Sequence, residues 1–106
     1  MDSRERRKQL RTLYGELFDQ VAAVLLAEDP IGINFGDNPD EYHPEVSTIL
    51  PKLRDCQSAA DVQHLLYREF VAWFDESTAS PEAKYIGPAR QIWELWQRHL
   101  GHRSLA

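Results

Sequence analysis

Cysteine is almost missing from this chain: Cys56 stands alone among 106 residues. A lone cysteine closes no internal disulfide, so nothing asks for an oxidising compartment. Long hydrophobic runs are missing too. The longest is Val21 to Ala27, far below the roughly 20 residues a spanning helix needs. No unbroken apolar core and no small-residue cleavage site follow the basic start, so a signal peptide is not expected. Phosphate-binding glycine loops, dinucleotide fingerprints, Gly-x-Ser-x-Gly, His-Glu-x-x-His and paired cysteines do not occur. These absences point to a cytoplasmic chain without a motif of the common enzyme classes.

What is present reads as one globular domain over 1–106, with 1–3 and 102–106 frayed. Apolar residues make up 42% and charged residues 27%, which is ordinary for a folded soluble protein. The net charge of −5 is unevenly spread. Residues 1–11 carry five basic and two acidic side chains; the remaining residues carry seven basic and fifteen acidic. An acidic body disfavours nucleic acid, because affinity there comes mainly from neutralising phosphates. The basic start (Arg4, Arg6, Arg7, Lys8, Arg11) reads first as a solvated helical face, and second as a contact for nucleic acid or an anionic surface.

Apolar spacing predicts an all-α domain: a small bundle of about four helices, with a long ordered acidic loop between the first two. The first helix runs from a Ser3 cap to about Ala27. Its apolar positions from Leu10 to Leu25 fall within an arc of roughly 140°. Asp29-Pro30 ends it, since a residue before proline is pushed out of the α region. A second helix opens at Pro44, kinks at Pro51 and ends near Asp55. The third is capped by Ser58, with Asp61 completing a capping-box pattern. Its stripe holds Val62, Leu65, Leu66, Phe70, Trp73 and Phe74, with Glu69 in the same stripe. Ser77 to Ser80 reads as a polar break. The last helical region opens at Ser80-Pro81-Glu82 and ends at Gly101. Whether it is continuous through Gly87-Pro88 is left open by the sequence.

The loop from Glu28 to Glu45 stands out. It holds six acids, no lysine or arginine, three prolines and two glycines. Gly36-Asp37-Asn38-Pro39 is a turn signal. Ile31, Ile33, Phe35 and Tyr42 are apolar teeth that should hold the loop against the helices. Within it, Asp29-Pro30-Ile31-Gly32, the Gly/Asn/Pro turn and Asp40-Glu41-Tyr42 leading into Pro44-Glu45-Val46 resemble a signature of the YugE-like family. Trp73-Phe74 and Ile92-Trp93-Glu94 are also similar. His43 stands where that family more often has Asp. The resemblance implies a compact helical fold of the small bacterial proteins that make up the family. It carries no established activity and no catalytic residues to transfer.

The site chemistry is weighed residue by residue. Asp37, Asp40, Glu41, His43 and Glu45 offer metal-type ligands, but their order is not that of an EF-hand. No metal and no cofactor are therefore expected, and the acids are read as favouring the helix start and keeping the loop soluble. Cys56 would need a base among His43, His64, His99 and His102, and no local signature supplies one. Glu69 is the candidate buried polar group: a carboxylate on an apolar stripe must find partners or shift its pKa. Tyr14, Tyr85, a tryptophan N–H or an arginine are its expected partners. Trp93, at the edge of its stripe, is the tryptophan expected to be partly exposed. No catalytic residue is assigned, and enzymatic activity is not the expected reading.

These features lead to an expectation of a non-enzymatic interaction module. It presents the loop to a protein partner with a basic surface, through Asp37, Asp40, Glu41 and Trp93. An immunity-type inhibitor of a nuclease-like toxin is one concrete version. The alternatives are a small ligand-binding protein or enzyme with a pocket under the 28–45 loop, and a structural homo-oligomer. No membrane contact is expected, and the oligomeric state is not legible.

Overall fold

A computed structural model describes residues 3–33 and 41–105, with side chains placed over 4–33 and 41–101. The described residues form helices joined by turns, without strands. Among them are six α-helices: α1 Ser3–Tyr14, α2 Glu16–Glu28, α3 His43–Ile49, α4 Ala59–Trp73, α5 Glu76–Ala79 and α6 Ile86–Leu105. Two 3-10 segments, Leu50–Asp55 and Glu82–Tyr85, join α3 to α4 and lead into α6.

The first helix differs most from the expectation. The single apolar stripe from Leu10 to Leu25 is carried by two helices, broken at Gly15. Gly15 adopts φ 59°, ψ −133°, a region that side chains with a Cβ rarely enter. Its N–H still donates to the Arg11 carbonyl, closing the last turn of α1. Beyond it α2 buries Leu17, Phe18, Val21, Ala22 and Leu25. Among the described side chains of α1 only Leu10 is buried, and Leu13 is 63% exposed. The stripe stays in phase across the break, so periodicity alone does not reveal it.

The core is built from α2, α4 and α6, with the α4–α6 pairing the most extensive and α3 packed against α4. Ser58 caps α4 by accepting from the Asp61 N–H, while the Asp61 carboxylate accepts from the Gln57 N–H. Val62, Leu66 and Phe70 are fully buried. Phe70 stacks on Tyr85 at 5.4 Å, and Tyr42 meets its edge at 6.0 Å. At its C-terminal end α4 outruns the core. Trp73 and Phe74 are 43% and 39% exposed, although the spacing places them on the buried stripe.

The Pro51 kink takes the form of a 3-10 segment through Asp55, which suits a residue that cannot donate an i−4 bond. The break after α4 also contains structure. Asp75 caps α5 by accepting from the Thr78 N–H, an interaction that lowers its pKa. The last long helix starts at Ile86, not at Ser80. It runs unbroken through Gly87-Pro88, since Pro88 lies in its first turn, where no intrahelical N–H partner is lost. Gly101 does not end it; the helix continues to Leu105. Among the described residues no helix is long and apolar enough to cross a membrane.

Candidate functional site

The base of the acidic loop is built from its two ends. At the upstream end, Asp29 caps α2 in the left-handed conformation (φ 46°, ψ 56°), its N–H donating to the Leu25 carbonyl. Asp and Asn tolerate that conformation better than most side chains. Pro30 follows and the chain turns: the Gly32 N–H donates to the Asp29 carbonyl at 3.1 Å, with Gly32 at φ 69°. The turn brings the Ile33 N–H onto Asp29 Oδ1 at 2.8 Å.

At the downstream end, Tyr42 precedes α3 and is 1% exposed. Its hydroxyl donates to the same Asp29 oxygen at 2.6 Å. Burial, and then the hydrogen bond to Asp29, push the Tyr42 phenol well above its ordinary pKa. One carboxylate oxygen thus holds residues 33 and 42 together. Ile31 and Ile33 lie half-buried against the core beside it. Short charge-assisted bonds of this kind are the strong ones.

Beyond Tyr42 the chain enters α3 with two further polar groups in the core. His43 is 5% exposed and meets the Phe18 ring edge-on at 5.1 Å. Glu45 is 4% exposed, and its Oε2 has no hydrogen-bond partner among the described residues. Burial pushes the Glu45 carboxyl up, with the negative charge of Glu41 adding to it and a backbone bond opposing.

Of the expected partner-binding residues, Asp37 and Asp40 lie outside the described residues, as do Phe35 and the turn at 36–39. Glu41 is half-buried beside Tyr42 in sequence. Trp93 is half-buried against the core. Trp73 is the more exposed tryptophan. Its Nε1–H donates to Thr48 Oγ1 at 2.9 Å, tying the end of α4 to α3.

Glu69 is 8% exposed and accepts from Lys52 Nζ at 2.8 Å. Its partner is a lysine of the 3-10 segment, none of the groups expected from the sequence. The catalytic candidates do not converge. Burial, Asp61 and Asp55 push the Cys56 thiol up, the opposite of an activated nucleophile. His64 sits 3.3 Å from Glu82, and His99 stacks on Trp96. Among the described residues no group of three or more His, Cys, Asp or Glu could hold a metal ion.

Sequence reasoning missed a concave surface beside the loop base. A cleft of 560 Å³ is lined by Arg4, Arg7, Lys8, Arg11, Thr12 and His43. A smaller cavity of 280 Å³ is lined by Arg6, Arg7, Pro44, Ser47, Thr48 and Trp73. They touch the 28–45 segment at His43 and Pro44. Of Glu69, His43 and Tyr42, the polar groups that a pocket under the loop would use, His43 lines the cleft, and Tyr42 and Glu69 line neither. The basic run was visible in the sequence; its juxtaposition with α3 and Trp73 had no local signal. Compared with protein-family models, curated proteins and solved structures, the chain finds no match.

Proposed function

We propose that this chain is a non-enzymatic interaction protein that presents the acidic segment between α2 and α3 to a basic protein surface. The observation that carries the reading is the Asp29 clasp. By holding Ile33 and Tyr42 to one oxygen, it ties together the two described ends between which residues 34–40 lie in sequence. Preorganised ends lower the ordering cost that a binding segment otherwise pays. The segment itself holds Asp37 and Asp40, next to Glu41, and no basic residue. Charge of one sign on an anchored segment suits steering and specificity toward a basic partner.

The motifs that carry the resemblance to the YugE-like family, Asp29-Pro30-Ile31-Gly32 and Glu41-Tyr42, are those that build the clasp. This supports assigning the chain to that family of bacterial proteins. An immunity-type inhibitor of a basic nuclease-like toxin is the concrete version of the proposal. A cytoplasmic setting fits it, with Cys56 a free thiol.

Charge reversal tests the reading. Wild-type chain and the Asp37→Lys, Asp40→Lys, Glu41→Lys triple variant are used to capture partners from the native host. A basic protein retained by the wild type and lost by the variant is the expected result. Identical partners on both chains, or none on either, would remove the loop as the binding surface.

A further inference from the structure

We infer that the cationic face of α1, together with Trp73, is a docking surface for an acidic protein segment that carries an aromatic or apolar anchor. This surface meets the base of the acidic loop at His43 and Pro44 but does not depend on that loop having a partner.

The argument begins with helical spacing. Arg4, Arg7, Lys8 and Arg11 recur at steps of three, one and three, so they share one face of α1. That face forms the wall of the 560 Å³ cleft. From Arg4 to Arg11 it rises about 10 Å, the length of about three extended residues. Arg11 is held by Asp19 at 3.1 Å and lies 4.9 Å from the Phe18 ring centre. Arg4, Arg6 and Lys8 are exposed, and they have no ion-pair partner among the described residues. Arg7 lines both the cleft and the smaller cavity, so the two adjoin at that residue.

The smaller cavity supplies what a purely electrostatic patch lacks. The Trp73 indole forms part of its wall, 43% exposed yet fixed by its bond to Thr48. Ser47 and Thr48 bond back to the carbonyls of Pro44 and Glu45, so their hydroxyl protons are already used. A partly exposed tryptophan, hydrogen-bonded in place and set among arginines, has the composition of an interface hot spot. It offers a ring face and apolar edge to an incoming side chain, at little entropic cost.

Charge complementarity selects the occupant. The surface is positive, while residues 12–106 carry seven basic and fifteen acidic side chains. A long polyanion such as nucleic acid would run off α1 onto a repelling body. A short acidic segment with one anchor touches only α1 and the Trp73 cavity.

The test is fluorescence anisotropy with a labelled synthetic peptide in which glutamates flank a phenylalanine, titrated with the full chain. Saturable binding that weakens as salt rises is expected. Arg4→Glu with Lys8→Glu should lower affinity by about tenfold or more. Trp73→Ala should lower affinity for the phenylalanine peptide by about tenfold, and leave an alanine-centred peptide unaffected. All three positions are exposed, and circular dichroism confirms that the variants are folded. Absence of saturable binding at low salt would overturn the inference, as would binding indifferent to both variants. Tighter binding of a single-stranded oligonucleotide at equal salt would overturn it in favour of nucleic acid. A dimer seen by light scattering that the Arg4→Glu, Lys8→Glu variant dissociates would overturn it in favour of self-association.

Discussion

The base of the acidic loop and helix α1 are neighbours, with His43 at one end of the α1 cleft, yet they are held in opposite ways. The loop base is fixed from inside. Tyr42 is buried, Ile31 and Ile33 are half-buried, and one Asp29 oxygen takes two donors. Helix α1 is fixed from outside. Of its described side chains it buries only Leu10; it joins α2 through a left-handed glycine and adds a surface Arg11–Asp19 pair. Exposed pairs contribute about 0–1 kcal/mol. Local stability follows buried contacts, so the loop base is the more firmly held of the two regions and the basic face of α1 the less firmly held.

The largest effect should come from breaking the clasp. Asp29→Ala removes the acceptor for the Ile33 N–H and the Tyr42 hydroxyl, strands a buried phenol, and places alanine at positive φ. A cost of about 3 kcal/mol or more follows from the value of bonds to a charged group. Asp29→Asn should lose less, since it keeps an acceptor and tolerates the left-handed backbone. Urea unfolding measures both. A loss below about 1 kcal/mol in the alanine variant would mean that the two regions are not held differently.

The Gly15 hinge comes next. A Cβ there meets nothing within 4 Å, so Gly15→Ala tests backbone conformation alone. A cost of about 1–3 kcal/mol is expected for a side chain held in that region. If the variant is instead more stable and gains helix by circular dichroism, α1 and α2 fuse into the single helix that the stripe suggests. The basic surface would then have a different shape.

Much of the helical architecture can be read from the chain, for reasons that are local. The Ser58 cap lies three residues before Asp61, and Asp29-Pro30 stops α2 through sterics between adjacent residues. What could not be read depends on partners far apart in sequence or on alternatives of similar local energy. A stripe in phase across Gly15 hides the break. Trp73 keeps the period of α4 but lies beyond the elements that would cover it. An acid within an apolar stripe marks Glu69, whereas Lys52 as its partner comes from the path of the 3-10 segment. For the candidate site, Asp29 and Tyr42 are plain as residues. Their shared hydrogen bond spans 13 positions and no periodicity encodes it.

The smallest effect separates two acids at the two ends of the loop, half-buried Asp29 and buried Glu45. Asp29 takes two donors; Glu45 has an oxygen without a partner among the described residues. Its folded-state pKa is raised, chiefly by burial and then by Glu41. The sign follows from linkage: a raised pKa means that the folded state holds the proton more tightly than the unfolded state. The contribution of Glu45 is therefore fully present below its ordinary carboxylate range and is lost as pH rises through the folded value. Glu45→Gln keeps the shape without the charge, so it should match the wild type near ~pH 4 and exceed it at ~pH 7 by about 1 kcal/mol, the low end of the cost of an unsatisfied buried group. Denaturant midpoints at the two pH values decide it. A variant less stable than wild type at neutral pH would show that the Glu45 charge is compensated, and that both ends of the loop are held by satisfied carboxylates.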